Sequence, residues 1–312
     1  MKRGLKEYLA ITLKGMGMGA ADVVPGVSGG TIAFISGIYE ELINSIKSIN
    51  LTAVQKLFKE GLVSFWKHVN GSFLLALFAG IFVSVLTLAK IIEIFLINHP
   101  VLIWSFFFGL IIASAIFVGK KITRWSAATF ISIVIGTAIA FYITRVSPAE
   151  TTTAYWFVFI SGALAICAMI LPGISGSFIL LLLGKYQFVL NAVNEARLDV
   201  IAILGLGAIV GLLSFSNLLS WLLKKYHDLT VALLAGFMIG SLNKIWPWKV
   251  VQETFVDSHG VIKPLVESNV TPAKYALSTG NSPLLFPAIL LAIAGFLIIY
   301  FVEIITATNK KV

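Results

Sequence analysis

The sequence predicts an all-α polytopic membrane protein made of two inverted repeats, each with one re-entrant helical hairpin and three transmembrane helices. Of its 312 residues, 58% are hydrophobic and 12% charged, about half the charged share of a soluble domain. Several apolar runs approach the roughly 20 residues a helix needs to cross a bilayer, and none alternates as a barrel strand does. The chain also repeats itself. DVVPGVSGGTIAFISGIYEELIN, from Asp22, aligns with MILPGISGSFILLLLGKYQFVLN, from Met169, the mark of an internal duplication.

The N-terminal MKRGLKEYLAITLKGMG is basic and then briefly apolar, but Lys14 interrupts the apolar stretch, so it reads as part of the mature protein. The first repeat takes residues 1–145: a hairpin at about 5–46, then spans at 72–89, 101–118 and 125–144. The second takes 146–312: a hairpin at about 155–195, then spans at 200–223, 229–246 and 284–305. The offset is 147 at the hairpins, from Pro25 to Pro172, and 127 beyond them, from Gly80 to Gly207. A polar, proline-bearing stretch at 247–283 has no counterpart in the first half and reads as an outer loop.

Three crossings per half invert the second half, provided each hairpin returns to the side it came from. A cytoplasmic N-terminus then places Lys47, Lys56, Lys59, Lys67, Lys120, Lys121, Arg124, Lys224 and Lys225 inside, as the positive-inside rule asks. The charges of the outer loop, Lys249, Glu253, Asp257, Lys263, Glu267 and Lys274, cancel. A rival with eight spans and parallel halves stays open and puts Lys120, Lys121 and Arg124 outside. The net charge of +9 therefore orients the chain and does not point to nucleic acid. Cys167, the sole cysteine, excludes an internal disulfide, and neither a metal nor a cofactor is expected.

The duplicated Pro-Gly-x-Ser-Gly segments carry the chemistry. Pro25-Gly26 and Pro172-Gly173 each stop an incoming arm, because proline lacks an amide hydrogen and glycine tolerates left-handed dihedrals. Ser28, Gly29, Gly30 and Thr31, and Ser175, Gly176 and Ser177, then offer hydroxyls and unpaired amides at a helix start, which attracts anions. Irregular backbone at membrane depth must be covered by protein or line a watery cavity, so the two tips are expected to meet near the midplane. Two helix ends there supply about one positive charge, enough for a phosphate or carboxylate. The alternative is that these small residues only let helices pack closely. Asp22, Glu40 and Glu41 are the candidates for proton coupling, Asp22 first because it adjoins the tip; it could equally be a helix cap. Met169 stands at its repeat position, so the two tips differ.

With PGVSGGTIAFISGIYEELIN and PGISGSFILLLLGKY in place, the chain resembles the polyprenyl-phosphate transporter family over nearly its whole length. The resemblance implies a multi-pass protein of the cell (cytoplasmic) membrane with both termini cytoplasmic. It implies a flippase returning undecaprenyl phosphate, or a related polyprenyl phosphate, from the outer to the inner leaflet, coupled to protons or membrane potential. Its partners would be that lipid and membrane phospholipids, and a homo-oligomer is compatible with the sequence. Two other functions stay open: a polyprenyl-diphosphate phosphatase, although the hairpins lack the arginine it needs, and a small-anion channel or exchanger.

Overall fold

The computed structural model describes residues 3–24, 27–256 and 262–309. In the first half, α1 (Leu5–Asp22), α2 (Gly29–Ile35) and α3 (Tyr39–Lys47) form the hairpin. Two short helices follow, α4 (Leu51–Glu60) and α5 (Leu62–His68), and then three apolar ones, α6 (Gly71–Asn98), α7 (Pro100–Gly119) and α8 (Ala127–Ile143). The second half has α9 (Tyr155–Ile170), α10 (Gly176–Leu182) and α11 (Tyr186–Asn194), then α12 (Leu198–Lys225) and α13 (His227–Ser241), strands β1 (Lys249–Val256) and β2 (Ile262–Asn269), α14 (Pro272–Thr279) and α15 (Leu285–Asn309). Among the described residues, four helices, α6, α7, α12 and α15, are long and apolar enough to cross a membrane, and α8, α9 and α13 are shorter apolar helices. Phe78, Phe82, Phe286 and Leu290 stand exposed on α6 and α15, which suits a surface whose solvent is lipid.

The chain doubles back in both halves. In the first, the Gly29 amide donates to Asp22 Oδ1 at 2.7 Å, Lys14 Nζ to the Ser36 carbonyl at 2.7 Å and Arg3 Nη1 to Glu41 Oε1 at 2.6 Å. These links sit at successive levels down the length of α1, so α2 and α3 retrace its path. In the second half the Ala149 amide donates to the Leu182 carbonyl at 2.9 Å and Lys185 Nζ to the Thr151 carbonyl at 2.9 Å. There α10 and α11 meet at a bend of 107°.

Helix pairing repeats at the offsets visible in the sequence. A Cβ placed on Gly15 would collide with the Leu77 carbonyl oxygen, and one on Gly162 with that of Leu204. Likewise a Cβ on Gly80 would strike the Thr12 carbonyl oxygen, and one on Gly207 that of Phe159. So α1 packs on α6 as α9 packs on α12, so closely that only glycine is accommodated. The next pairs cross between halves: Gly109 of α7 abuts Ala292 of α15, and Gly236 of α13 abuts Ile133 of α8.

The segment 247–283 corrects the all-α expectation, because it contains an antiparallel hairpin in which Lys249 pairs with Asn269 and Val256 with Ile262. Val250, Val251, Thr254, Phe255 and Val256 are strand-forming residues. Pro264 is tolerated because a two-stranded sheet has only edges. Trp248 Nε1 donates to the Pro283 carbonyl at 2.8 Å and Trp246 Nε1 to that of Val270 at 2.8 Å, anchoring this cap over the end of α7, where Val101 joins Trp248 in a small core. At the other end of the molecule, Asp228 accepts from the Thr123 and Arg124 amides at 3.0 Å each, and Ser220 donates to Asn44 at 2.9 Å. Those contacts gather α3, the α7–α8 connection and the α12–α13 connection at one basic end.

Candidate functional site

The two Pro-Gly-x-Ser-Gly turns touch each other. Ser28 begins α2 and Ser175 begins α10, and both have the extended backbone and short polar side chain of a helix N-cap. Ser28 Oγ accepts from the Gly30 amide at 3.0 Å and donates to the Met169 carbonyl across the junction at 2.9 Å. Thr31 Oγ1 accepts from the Gly173 amide at 3.2 Å. A Cβ on Gly30 would collide with the Ile170 carbonyl oxygen, so the backbones approach without a side chain between them. Gly173 has φ +88°, the left-handed conformation that lets the second turn reverse.

The sequence expectation of unpaired amides does not hold at the first tip. The Gly29 amide is taken by Asp22, that of Gly30 by Ser28 Oγ and that of Thr31 by the Ser28 carbonyl. The physical reason is that a buried amide without a partner costs about 1–3 kcal/mol, and the tip supplies its own acceptors. At the second tip Ser175 Oγ accepts from the Phe178 amide at 3.2 Å and lies 3.0 Å from Ser177 Oγ. Gly176 packs against the Ala165 carbonyl. Pro172, Gly173 and Ser175 are buried; Pro25 and Gly26 lie outside the described residues.

The three candidate carboxylates separate. Asp22 alone stands at the tip, where its carboxylate caps the start of α2. Glu41 lies at the base of the hairpin, held by the two terminal guanidinium nitrogens of Arg3 at 2.6 and 2.8 Å and by Asn70 Nδ2 at 2.8 Å. Glu40 is exposed there, 3.8 Å from His227 Nε2. One participant was not anticipated: Tyr39, fully buried, donates its hydroxyl to the Ile170 carbonyl at 3.2 Å. The signal was available, since Tyr39 aligns with Tyr186 in the repeat.

Residues 18–263 match the family described as undecaprenyl phosphate translocase-like. That stretch contains both turns and most of both halves. The chain belongs to this family. Two curated relatives agree. A polyprenyl-phosphate transporter of Vibrio cholerae is 47% identical over 297 residues, covering 95% of this chain and 96% of its own. A polyprenyl-phosphate transporter of Staphylococcus aureus is 32% identical over 253 residues, covering 75% and 85%. No solved structure matches. Both relatives thus carry a name that states a lipid-phosphate cargo.

Proposed function

We infer that this protein carries polyprenyl phosphate across the cell membrane, with the two serine-glycine turns as the cradle for the phosphate. The observation that carries this is the direct meeting of the turns through Ser28 and Met169 and through Thr31 and Gly173. Two hydroxyls and two helix starts converge there, and in this closed arrangement they satisfy one another. A phosphate with its strong acceptor oxygens would take over the hydroxyl donors as the turns part. A prenyl tail needs no polar partner and would stay among the exposed apolar faces of the helices.

In the proposed topology both hairpins are re-entrant and the halves are inverted. Supporting it are the doubling back of each hairpin, the repeated glycine contacts and the clustering of Arg3, Lys47, Lys121 and Arg124 near the basic end, which the positive-inside rule assigns to the cytoplasm. Transport runs from the outer to the inner leaflet. A phosphate of charge about −1.5 to −2 moving inward against an inside-negative potential costs roughly 3.5–4.6 kcal/mol per 100 mV, which accompanying protons offset. Asp22 is the proton carrier in this reading, because it is the carboxylate in contact with the tip. Glu41, clamped by Arg3, braces the hairpin base.

Reconstituted vesicles carrying a labelled polyprenyl phosphate test the reading. Ser28→Ala with Ser175→Ala should weaken lipid binding and slow translocation, because each change removes a cap and a donor together worth about 1–2 kcal/mol. Asp22→Asn should flatten the pH dependence of transport while binding persists. Wild-type transport by the double serine variant would refute the cradle.

A further inference from the structure

At the end opposite the basic cluster, a cavity of about 500 Å³ opens between the strand hairpin, α10 and the connections that follow α8 and α13. Three of its lining residues are cations, Arg145, Lys244 and Lys249, and the one carboxylate among its described lining residues is Glu267. Both lysines converge on a single oxygen of that carboxylate: Glu267 Oε2 lies 3.5 Å from Lys244 Nζ and 3.4 Å from Lys249 Nζ. Lys249 is buried, with its ammonium 3.9 Å from the centre of the Trp104 ring. Lys244 sits 5.0 Å over Phe178. The two lysines are thus held in place by aromatic faces and by a shared carboxylate, and they outnumber that carboxylate even without Arg145.

The cavity also leads somewhere. Phe178 lines it, and the Phe178 amide is the one that Ser175 caps at 3.2 Å. Its wall is therefore one helical turn from the second serine-glycine turn. Its size suits a small head group, and the surplus of fixed cations suits an anion with several acceptor oxygens, such as a phosphate.

We propose that this cavity is a vestibule that binds the phosphate group of the lipid at the outer face, before that group reaches the paired turns. The inference rests on the transport reading. Arg145, exposed at the rim, meets the phosphate first. Lys244 and Lys249 exchange their shared carboxylate for phosphate oxygens, so Glu267 competes with the ligand and acts as a built-in counter-ion.

The full-length protein in phospholipid nanodiscs is titrated with three probes: a short-chain prenyl phosphate, the matching prenyl alcohol and inorganic phosphate. Lys244→Gln is expected to weaken prenyl-phosphate binding about tenfold, the scale of one charge-assisted hydrogen bond. Glu267→Gln should tighten it, a gain that misfolding cannot imitate, and the alcohol should bind far more weakly to the wild-type protein. Unchanged affinity in both variants, or equal binding of the alcohol, overturns the proposal. Inorganic phosphate binding as tightly as the prenyl phosphate, with the same response to both variants, assigns the cavity to free phosphate and overturns its role in lipid capture. The double serine variant separates this site from the cradle. Loss of transport there with wild-type binding by Lys244→Gln and Glu267→Gln sinks the vestibule alone, whereas the reverse pattern sinks the cradle alone.

Discussion

A side chain at Gly30 has nowhere to go, since its Cβ would collide with the Ile170 carbonyl oxygen and lie 3.1 Å from Ser28 Oγ. The obstacle is backbone of the opposite turn, so relief requires the two turns to separate. Gly30→Ala is therefore expected to lower stability by about 1–3 kcal/mol, as overpacking does, and to slow lipid transport. Thermal unfolding of the purified variant checks the first effect and vesicle transport the second. Gly205→Ala is the control: nothing lies within 4 Å of a Cβ there, and alanine in a helix should be neutral or stabilising by up to about 1 kcal/mol. Equal unfolding temperatures for the two variants would contradict the close approach at Gly30. At this scale the sequence was partly legible. Gly30 and Ser28 are visible as a motif, because a turn and a helix start demand those residue types locally. The partners of Ser28 were not, since a hydroxyl bonds to whatever the fold brings within reach, here the Met169 carbonyl more than a hundred positions away.

The element that most needed the structure is the strand hairpin. Its charges look balanced along the chain, and its polar residues and prolines hide the strand-forming run at Val250 and Val251. Pairing Lys249 with Asn269 sets β1 beside β2 and leaves Lys249 within 3.4 Å of Glu267, so charges that cancel in a sum become a local cluster with a direction. Burial pushes the Lys249 ammonium down to about 8, with the neighbouring Lys244 adding to the fall and Glu267 opposing it. Burial also resists ionisation of Glu267, but Lys249 and Lys244 overcome it and hold that carboxyl below its usual range. The sign follows from proton counting. Between about pH 8 and an unfolded lysine's 10.4, the unfolded chain binds the proton that folded Lys249 has released, so the stability of this cap rises with pH. Phosphate binding in the vestibule should move the other way and weaken as pH passes through about 8, because a cation is lost. Isothermal titration of the short-chain prenyl phosphate between about pH 7 and 9 measures this. A flat profile would mean that Lys249 does not hold the ligand.

Across the whole molecule, the duplication could be read from glycine spacing because a carbonyl oxygen pressed against the bare backbone of a facing helix excludes every other residue, and the same spacing is forced on both copies. Less legible is the exchange of partners, α7 with α15 and α13 with α8: it joins helices far apart in the chain, and no local pattern encodes it. That exchange ties the halves together through two close helix pairs, so the parting of the turns that the proposed transport requires falls to the hairpins and not to sliding one half off the other. It also fixes which loops share an end. Lys120 lies with the basic cluster, and Lys274 lies on α14 in the cap at the other end; both are exposed. In a Cys167→Ser background, which removes the sole native cysteine, Lys274→Cys should react with a membrane-impermeant maleimide on intact cells. Lys120→Cys should react only after the membrane is opened. Labelling of both from the same side would place the two ends in one compartment and refute the inverted, re-entrant topology. Labelling of Lys120→Cys alone on intact cells would keep the fold but reverse its orientation, and with it the direction from which the vestibule receives its lipid.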